Sequence, residues 1–117
     1  MRLAVLSDIH DHLPALQATL DFLVGTDALL CCGDFCSPFV VKMLGDRYGG
    51  PIHAVFGNND ADTYRMMQVA SAYQGRLQLH GELAELVLGE KRIALNHFPE
   101  IARPLAASGQ YDLVCFG

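Results

Sequence analysis

An α/β fold with a parallel portion follows from three features of the sequence. Short apolar runs alternate with helical stretches, each run stops abruptly at polar residues, and further on a turn-joined pair of apolar stretches replaces the alternation. The first run, Leu3 to Leu6, is continuously apolar until Ser7 and Asp8, as in a strand covered on both faces. Leu13, Leu16, Leu20 and Leu23 then recur at helical spacing, with Pro14 suited to a first turn and Gly25 to an end. Ala28 to Cys32 reads as a second buried strand, Phe39 to Leu44 as a short helix and Ile52 to Phe56 as a third strand. Ala61 to Tyr73 is helical, with Met66, Met67, Val69 and Ala70 as its apolar side and Gly75 closing it. Leu83 to Leu88 and Arg92 to Asn96 flank Gly89, Glu90 and Lys91, which predicts an antiparallel hairpin and hence a mixed sheet. A last helix over Ile101 to Ala107, with Pro104 in its first turn, precedes an apolar run from Leu113 to Phe116.

With 117 residues, 51% of them apolar and 18% charged, the chain has the composition of one globular domain, residues 1–117, without linker or repeat. Its formal charge of −5 is the wrong sign for non-specific binding to nucleic-acid phosphates. No apolar run reaches the roughly 18 to 20 residues that span a bilayer, nor is there a signal-peptide core, so a cytoplasmic, membrane-free protein is expected. Cys31, Cys32, Cys36 and Cys115 include no CxxC pair and read as small buried hydrophobes of a reducing compartment. A nucleotide switch is disfavoured, because neither a Walker-type lysine loop nor a dinucleotide glycine fingerprint is present.

Three apolar strands end in polar residues of one chemical type: Asp8 and His10, then Gly33 and Asp34, then Gly57, Asn58, Asn59 and Asp60. Strand ends of this kind are where α/β folds build sites. If the backbone stays extended, a spacing of two puts Asp8 and His10 on one face, able to converge on one ion. Gly33 and Gly57 free the backbone to turn sharply and bring Asp34 and Asn58 to the same crevice, which His97 can join from the end of a later strand. This set of carboxylate, imidazole and amide donors suits divalent transition metals: Mn is favoured, with Ni, Fe or Zn as alternatives. Asp34 is the candidate to give one oxygen to each of two ions about 4 Å apart. With Asp8 and Asp34 ionised, two divalent ions leave a surplus of about two positive charges, which attracts a phosphate ester. A hydroxide held between the ions would attack phosphorus, so no side chain is itself required as nucleophile.

The series Ser7-Asp8-Ile9-His10, Gly33-Asp34, Gly57-Asn58-Asn59-Asp60 and His97, with Leu13-Pro14-Ala15-Leu16, resembles the calcineurin-like metallophosphoesterase superfamily, especially its small prokaryotic phosphodiesterase branch. The resemblance implies two facing mixed β-sheets flanked by helices. It also implies a first metal on Asp8, His10 and Asp34, and a second on Asp34, Asn58 and His97. In many phosphatases of the superfamily a histidine proposed to protonate the leaving group or contact the phosphate follows the motif asparagine. Here that substrate-contacting place is Asn59, which carries no titratable proton. Family members continue past the strand matching Leu113 to Phe116 into a Gly-His-x-His motif and further strands, so the resemblance implies a domain that 1–117 covers incompletely at its C-terminal side.

The resulting expectation is a metal-dependent phosphoesterase acting on a small phosphate ester, a phosphodiester by preference. The competing class is a non-catalytic metal-binding or interaction protein that keeps the fold without the last ligand histidines. Of the remaining residues, His12 suits a surface or capping role at the helix start, and His53 and His80 ordinary packing or solvation. Asp60 suits either orienting Asn58 from behind or capping the helix that follows. Arg65 and Arg103 read as solvated surface cations, and the Met66–Met67 pair as core filler.

Overall fold

A computed structural model describes residues 1–117. The uninterrupted apolar stretches form β1 (Leu3–Leu6) and β2 (Ala28–Cys31), and the segment before Gly57 forms β3 (Ile52–Ala54). All four residues of β2 are buried, which explains why this strand reads as a continuous apolar run and not as an alternation. Between them lie α1 (Leu13–Phe22) and α2 (Pro38–Arg47), and after β3 comes α3 (Thr63–Ser71). Pro38 opens α2, where its missing N–H costs nothing. α3 begins two residues later than the apolar pattern suggests, because the Asp62 carboxylate accepts the Arg65 N–H and fixes the first turn there. A strand absent from the sequence reading, β4 (Leu77–Leu79), completes a four-stranded sheet in the order β1-β2-β3-β4. Three residues with a single exposed position carry too little periodicity to declare themselves.

The hairpin is β5 (Leu83–Leu88) and β6 (Lys91–Asn96), antiparallel with Leu83 opposite Asn96. Gly89 turns at φ 60°, and Lys91 belongs to the strand instead of the turn. β7 (Leu113–Cys115) adds parallel to β6. The two sheets are separate. Two sheets flanked by helices are what the family resemblance implies, in place of the one mixed sheet the hairpin alone suggests; over these residues the first is parallel and the second mixed. α4 (Pro99–Ala107) starts at Pro99, so Pro104 lies inside the helix and not in its first turn.

Two cores stack the layers. On one face of the parallel sheet, Leu29, Cys31, Ile52 and Ala54 meet Leu16, Leu20, Val40, Val41, Leu44 and Met66 of the helices. On the other, Leu30, Cys32 and Val55 meet Ala84, Ile93, Leu95 and Cys115 of the second sheet. α4 covers the outer side of that second sheet through buried Ala102. No helix is long and apolar enough to cross a membrane. The layered packing brings the C-terminal ends of β1, β2, β3 and β6 to one edge of the molecule, where the chemistry collects.

Candidate metal centre

Asp8 and His10 reach the site by a route other than the extended backbone expected of them. Asp8, His10 and Asp11 all take left-handed φ values, 54°, 47° and 57°. The strain is held by the neighbouring loop: the N–H groups of Asp8, His10 and Asp11 donate to the carbonyls of Gly33, Asp34 and Phe35 at 3.0, 3.0 and 3.2 Å. The two ligand loops are thus laced together backbone to backbone. Ser7, named in the motif but assigned no role from the sequence, donates its hydroxyl to Asp8 Oδ2.

Asp34 lies at the centre, its side chain only 3% exposed. Its Oδ2 is 3.1 Å from His10 Nε2, and its Oδ1 is 3.5 Å from His97 Nε2. The Asn59 backbone N–H donates to Oδ1 at 2.9 Å and the Asn59 side-chain amide to Oδ2 at 2.8 Å. Burial pushes the Asp34 carboxyl up, but the Asn59 donors and the nearby His97 and His10 rings outweigh it and hold the group below its ordinary range. Glycine at 57 is required by this approach, since a Cβ there would collide with Asp34 Oδ1. Asp60 hydrogen-bonds neither the Asn58 side chain nor the first turn of α3, the two roles expected of it. Its carboxylate instead accepts the N–H groups of Asp34 (3.0 Å), Cys36 (2.9 Å) and Gly57 (2.7 Å), and so clamps the second ligand loop to the third.

His97 enters from the second sheet. Asn96, buried at the end of β6, accepts the Phe98 N–H at 2.7 Å and donates to the Glu82 carbonyl at 2.8 Å, which shapes the turn carrying His97. Nothing in the sequence pattern marked Asn96 for that task. His97 Nδ1 lies 2.7 Å from the Cys32 carbonyl, an obligate acceptor, so Nδ1 carries a proton and Nε2 is the nitrogen turned into the site. Nε2 points toward Asn58 Oδ1 at 2.9 Å and Asp34 Oδ1 at 3.5 Å. Nitrogen and oxygen donor atoms thus converge where a cation can meet them. Donor atoms of Asp8, Asp34 and His97 lie within 4.8 Å of one another. His10 flanks them 3.5 Å from Asp8 Oδ1, and Gly117 donates its N–H to the His97 carbonyl. The donor set fits a divalent transition ion.

Other singled-out residues fall outside this cluster. His12 caps α1, its Nδ1 accepting the Ala15 N–H at 3.1 Å. Met66 is buried in the core, whereas its neighbour Met67 is half exposed. All four cysteines are free, and burial pushes the Cys32 thiol up to about 12. Arg103 is exposed on α4. His53 and His80 are paired with each other, Nδ1 to Nε2 at 3.1 Å, on the inter-sheet side of β3 and β4, and neither has a carboxylate partner. Burial lowers the pKa of both, and the His80 ring adds to the effect on His53. The unfolded chain thus binds protons that the native pair refuses. Stability contributed by the neutral pair is complete above the unfolded value of about 6.5 and is lost as pH falls through the lower native values. Urea unfolding of the metal-free protein is expected to show this acid loss, and His53→Gln to flatten it; an unchanged pH profile in the variant would count against the pairing.

Comparison with known proteins agrees with this fold. The model of the calcineurin-like phosphoesterase superfamily domain matches residues 1–117. Phosphodiesterase MJ0936 of Methanocaldococcus jannaschii is 25% identical over 121 residues, an alignment covering 100% of this chain and 72% of the relative. The solved structure of an archaeal phosphodiesterase superposes with a TM-score of 0.91 at 24% identity, over 100% of this chain and 72% of that one. Yfce, a phosphoesterase from E. coli, gives 0.62 at 23% identity, over 86% of this chain and 59% of that one. The double-sheet architecture and a family match spanning every residue lead to one assignment: the chain belongs to the calcineurin-like phosphoesterase superfamily.

Proposed function

We propose that this protein is a metal-dependent phosphodiesterase in which Asp8, His10 and Asp34 hold one divalent ion and Asp34, Asn58 and His97 a second. The observation that carries this reading is the placement of Asp34, whose two oxygens face different imidazoles, Oδ2 toward His10 and Oδ1 toward His97. A carboxylate so placed can serve two ions at once. When bound, the ions supply Lewis acidity and an activated water for in-line attack on phosphorus, with manganese the favoured occupant and Ni, Fe or Zn chemically suitable.

The residues of the chain orient this chemistry. Asn59 holds both Asp34 oxygens, the Cys32 carbonyl fixes the His97 tautomer, and Ser7 steadies Asp8. The activity of the M. jannaschii relative supports a diester substrate. A small ester is favoured over nucleic acid in bulk by the net charge of −5, and the four free thiols suit a reducing cytoplasm.

The test is hydrolysis of phosphodiesters by the intact protein, stripped by chelator and resupplied with Mn(II). Activity is expected to return with the metal. The Asn59 amide is engaged by Asp34 Oδ2 and offers no titratable proton to a departing oxygen, so aryl diesters are expected to react at least about a hundredfold faster than alkyl ones. Equal rates for the two classes would contradict the role given to position 59. Tight binding of two ions with no hydrolysis would overturn the catalytic reading itself.

A further inference from the structure

A cavity of about 350 Å³ opens between α2 and α3, lined by Pro38, Phe39, Lys42, Asp62, Arg65 and Val69. Its position follows from the ligand loops. Pro38 comes two residues after Cys36 and Asp62 two residues after Asp60, and these two are joined by the Cys36 N–H to Asp60 hydrogen bond. The groove therefore starts beside the loops that carry Asp34 and Asn58 and runs one helical turn away from them, from Phe39 and Arg65 to Lys42 and Val69.

Folding does not explain its lining. The inward faces of the two helices are satisfied by Val40, Val41, Leu44, Met66 and Ala70, all buried, whereas Phe39 is 72% exposed. Phe39 stands with Pro38 and Val69 along one cavity, an apolar grouping at the surface and not a single scattered ring. Lys42 is held by Asp46 at 2.6 Å. The Arg65 guanidinium touches Asp62 only through Nε, at 3.5 Å, and its terminal nitrogens make no hydrogen bond. A free guanidinium edge and an exposed ring beside an apolar wall formed by Pro38 and Val69 suit a planar aromatic group, by stacking on the ring and by cation–π contact. The volume is at the lower end of small-ligand pockets, which suits one ring system and excludes a folded partner.

We propose that this groove receives an aromatic ester arm of the phosphodiester, an aryl or nucleobase-bearing group, and that Phe39 and Arg65 determine this specificity. The inference rests on the phosphodiesterase reading, and the assay separates the two. Phenyl 4-nitrophenyl phosphate and methyl 4-nitrophenyl phosphate share one leaving group and differ in the retained arm. With the intact Mn(II)-loaded protein, Phe39→Ala is expected to lower kcat/KM for the phenyl ester about tenfold, chiefly through KM, the scale of one lost base-stacking contact. Phe39→Tyr should restore it, because the aromatic face is kept, and Arg65→Gln should give a smaller loss in the same direction. Phe22→Ala, a control at a ring 87% exposed on α1, should change nothing.

If only the phenyl ester is affected, the retained arm occupies the groove; if both esters fall equally, the leaving arm does. No change for either ester in Phe39→Ala overturns the proposal, as does failure of Phe39→Tyr to rescue. If neither ester is hydrolysed by the unmodified protein, the catalytic reading fails and the groove is judged by binding alone. Saturation-transfer NMR should then show phenyl phosphate, but not methyl phosphate, receiving magnetisation in a manner lost in Phe39→Ala, and no transfer to phenyl phosphate would sink the idea.

Discussion

Asp34→Asn is expected to weaken Mn(II) binding at least about a hundredfold and to remove diester hydrolysis, the largest effect of any single change in this molecule. The substitution keeps the shape and removes the charge. One Asp34 oxygen becomes an amide that must face either the Asn59 side-chain amide, 2.8 Å from Oδ2, or the Asn59 backbone N–H, 2.9 Å from Oδ1, so a donor meets a donor where an acceptor stood. Calorimetric titration checks the first part: a stoichiometry that stays at two ions with unchanged affinity would refute the shared carboxylate. The same variant alters acid stability. Hydrogen bonds and imidazoles hold the native Asp34 carboxyl below its unfolded value, so its contribution is present above the unfolded value of about 3.9 and disappears as pH falls through the native one. Asp34→Asn should lack that acid limb, which unfolding at a series of pH values would reveal even without metal.

Asp60→Ala ranks next, with an expected destabilisation of about 2–4 kcal/mol and a roughly ten- to hundredfold loss of metal affinity. Three backbone N–H groups, those of Asp34, Cys36 and Gly57, share this one carboxylate. Removing it strands all three and releases two ligand loops from each other. Asp60→Asn, which keeps one acceptor oxygen, should fall between. Chemical denaturation beside metal titration distinguishes the clamp from a direct ligand: a clamp loses stability without metal present, whereas loss of affinity alone would assign Asp60 to the ion itself.

The effects differ in kind because the residues were legible to different degrees. Asp8, Asp34 and the Gly57–Asp60 run stood out because polar residues interrupt apolar strands at the same end, and strand geometry alone carries them to one edge. Asp60 was visible as a residue but not in its role, since three N–H groups from two loops converge on it only after the loops meet. Asn96 gave no signal, because its hydrogen bonds to Phe98 and Glu82 shape a turn that exists only once β6 has paired with β5. β4 escaped for lack of length, and the start of α3 was displaced by a cap that periodicity does not encode.

By itself the amino-acid order determined every strand and helix but β4, and which side chains lie at strand ends with donor atoms suited to a transition ion, because backbone period and apolar burial are local properties. Only the tertiary structure decided that Asp8 and His10 converge through left-handed backbone held by the Asp34 loop, and that His97 turns Nε2 inward while Nδ1 meets the Cys32 carbonyl. Those features arise from hydrogen bonds between segments far apart in sequence, whose partners are chosen by packing and leave no periodic trace in either segment alone.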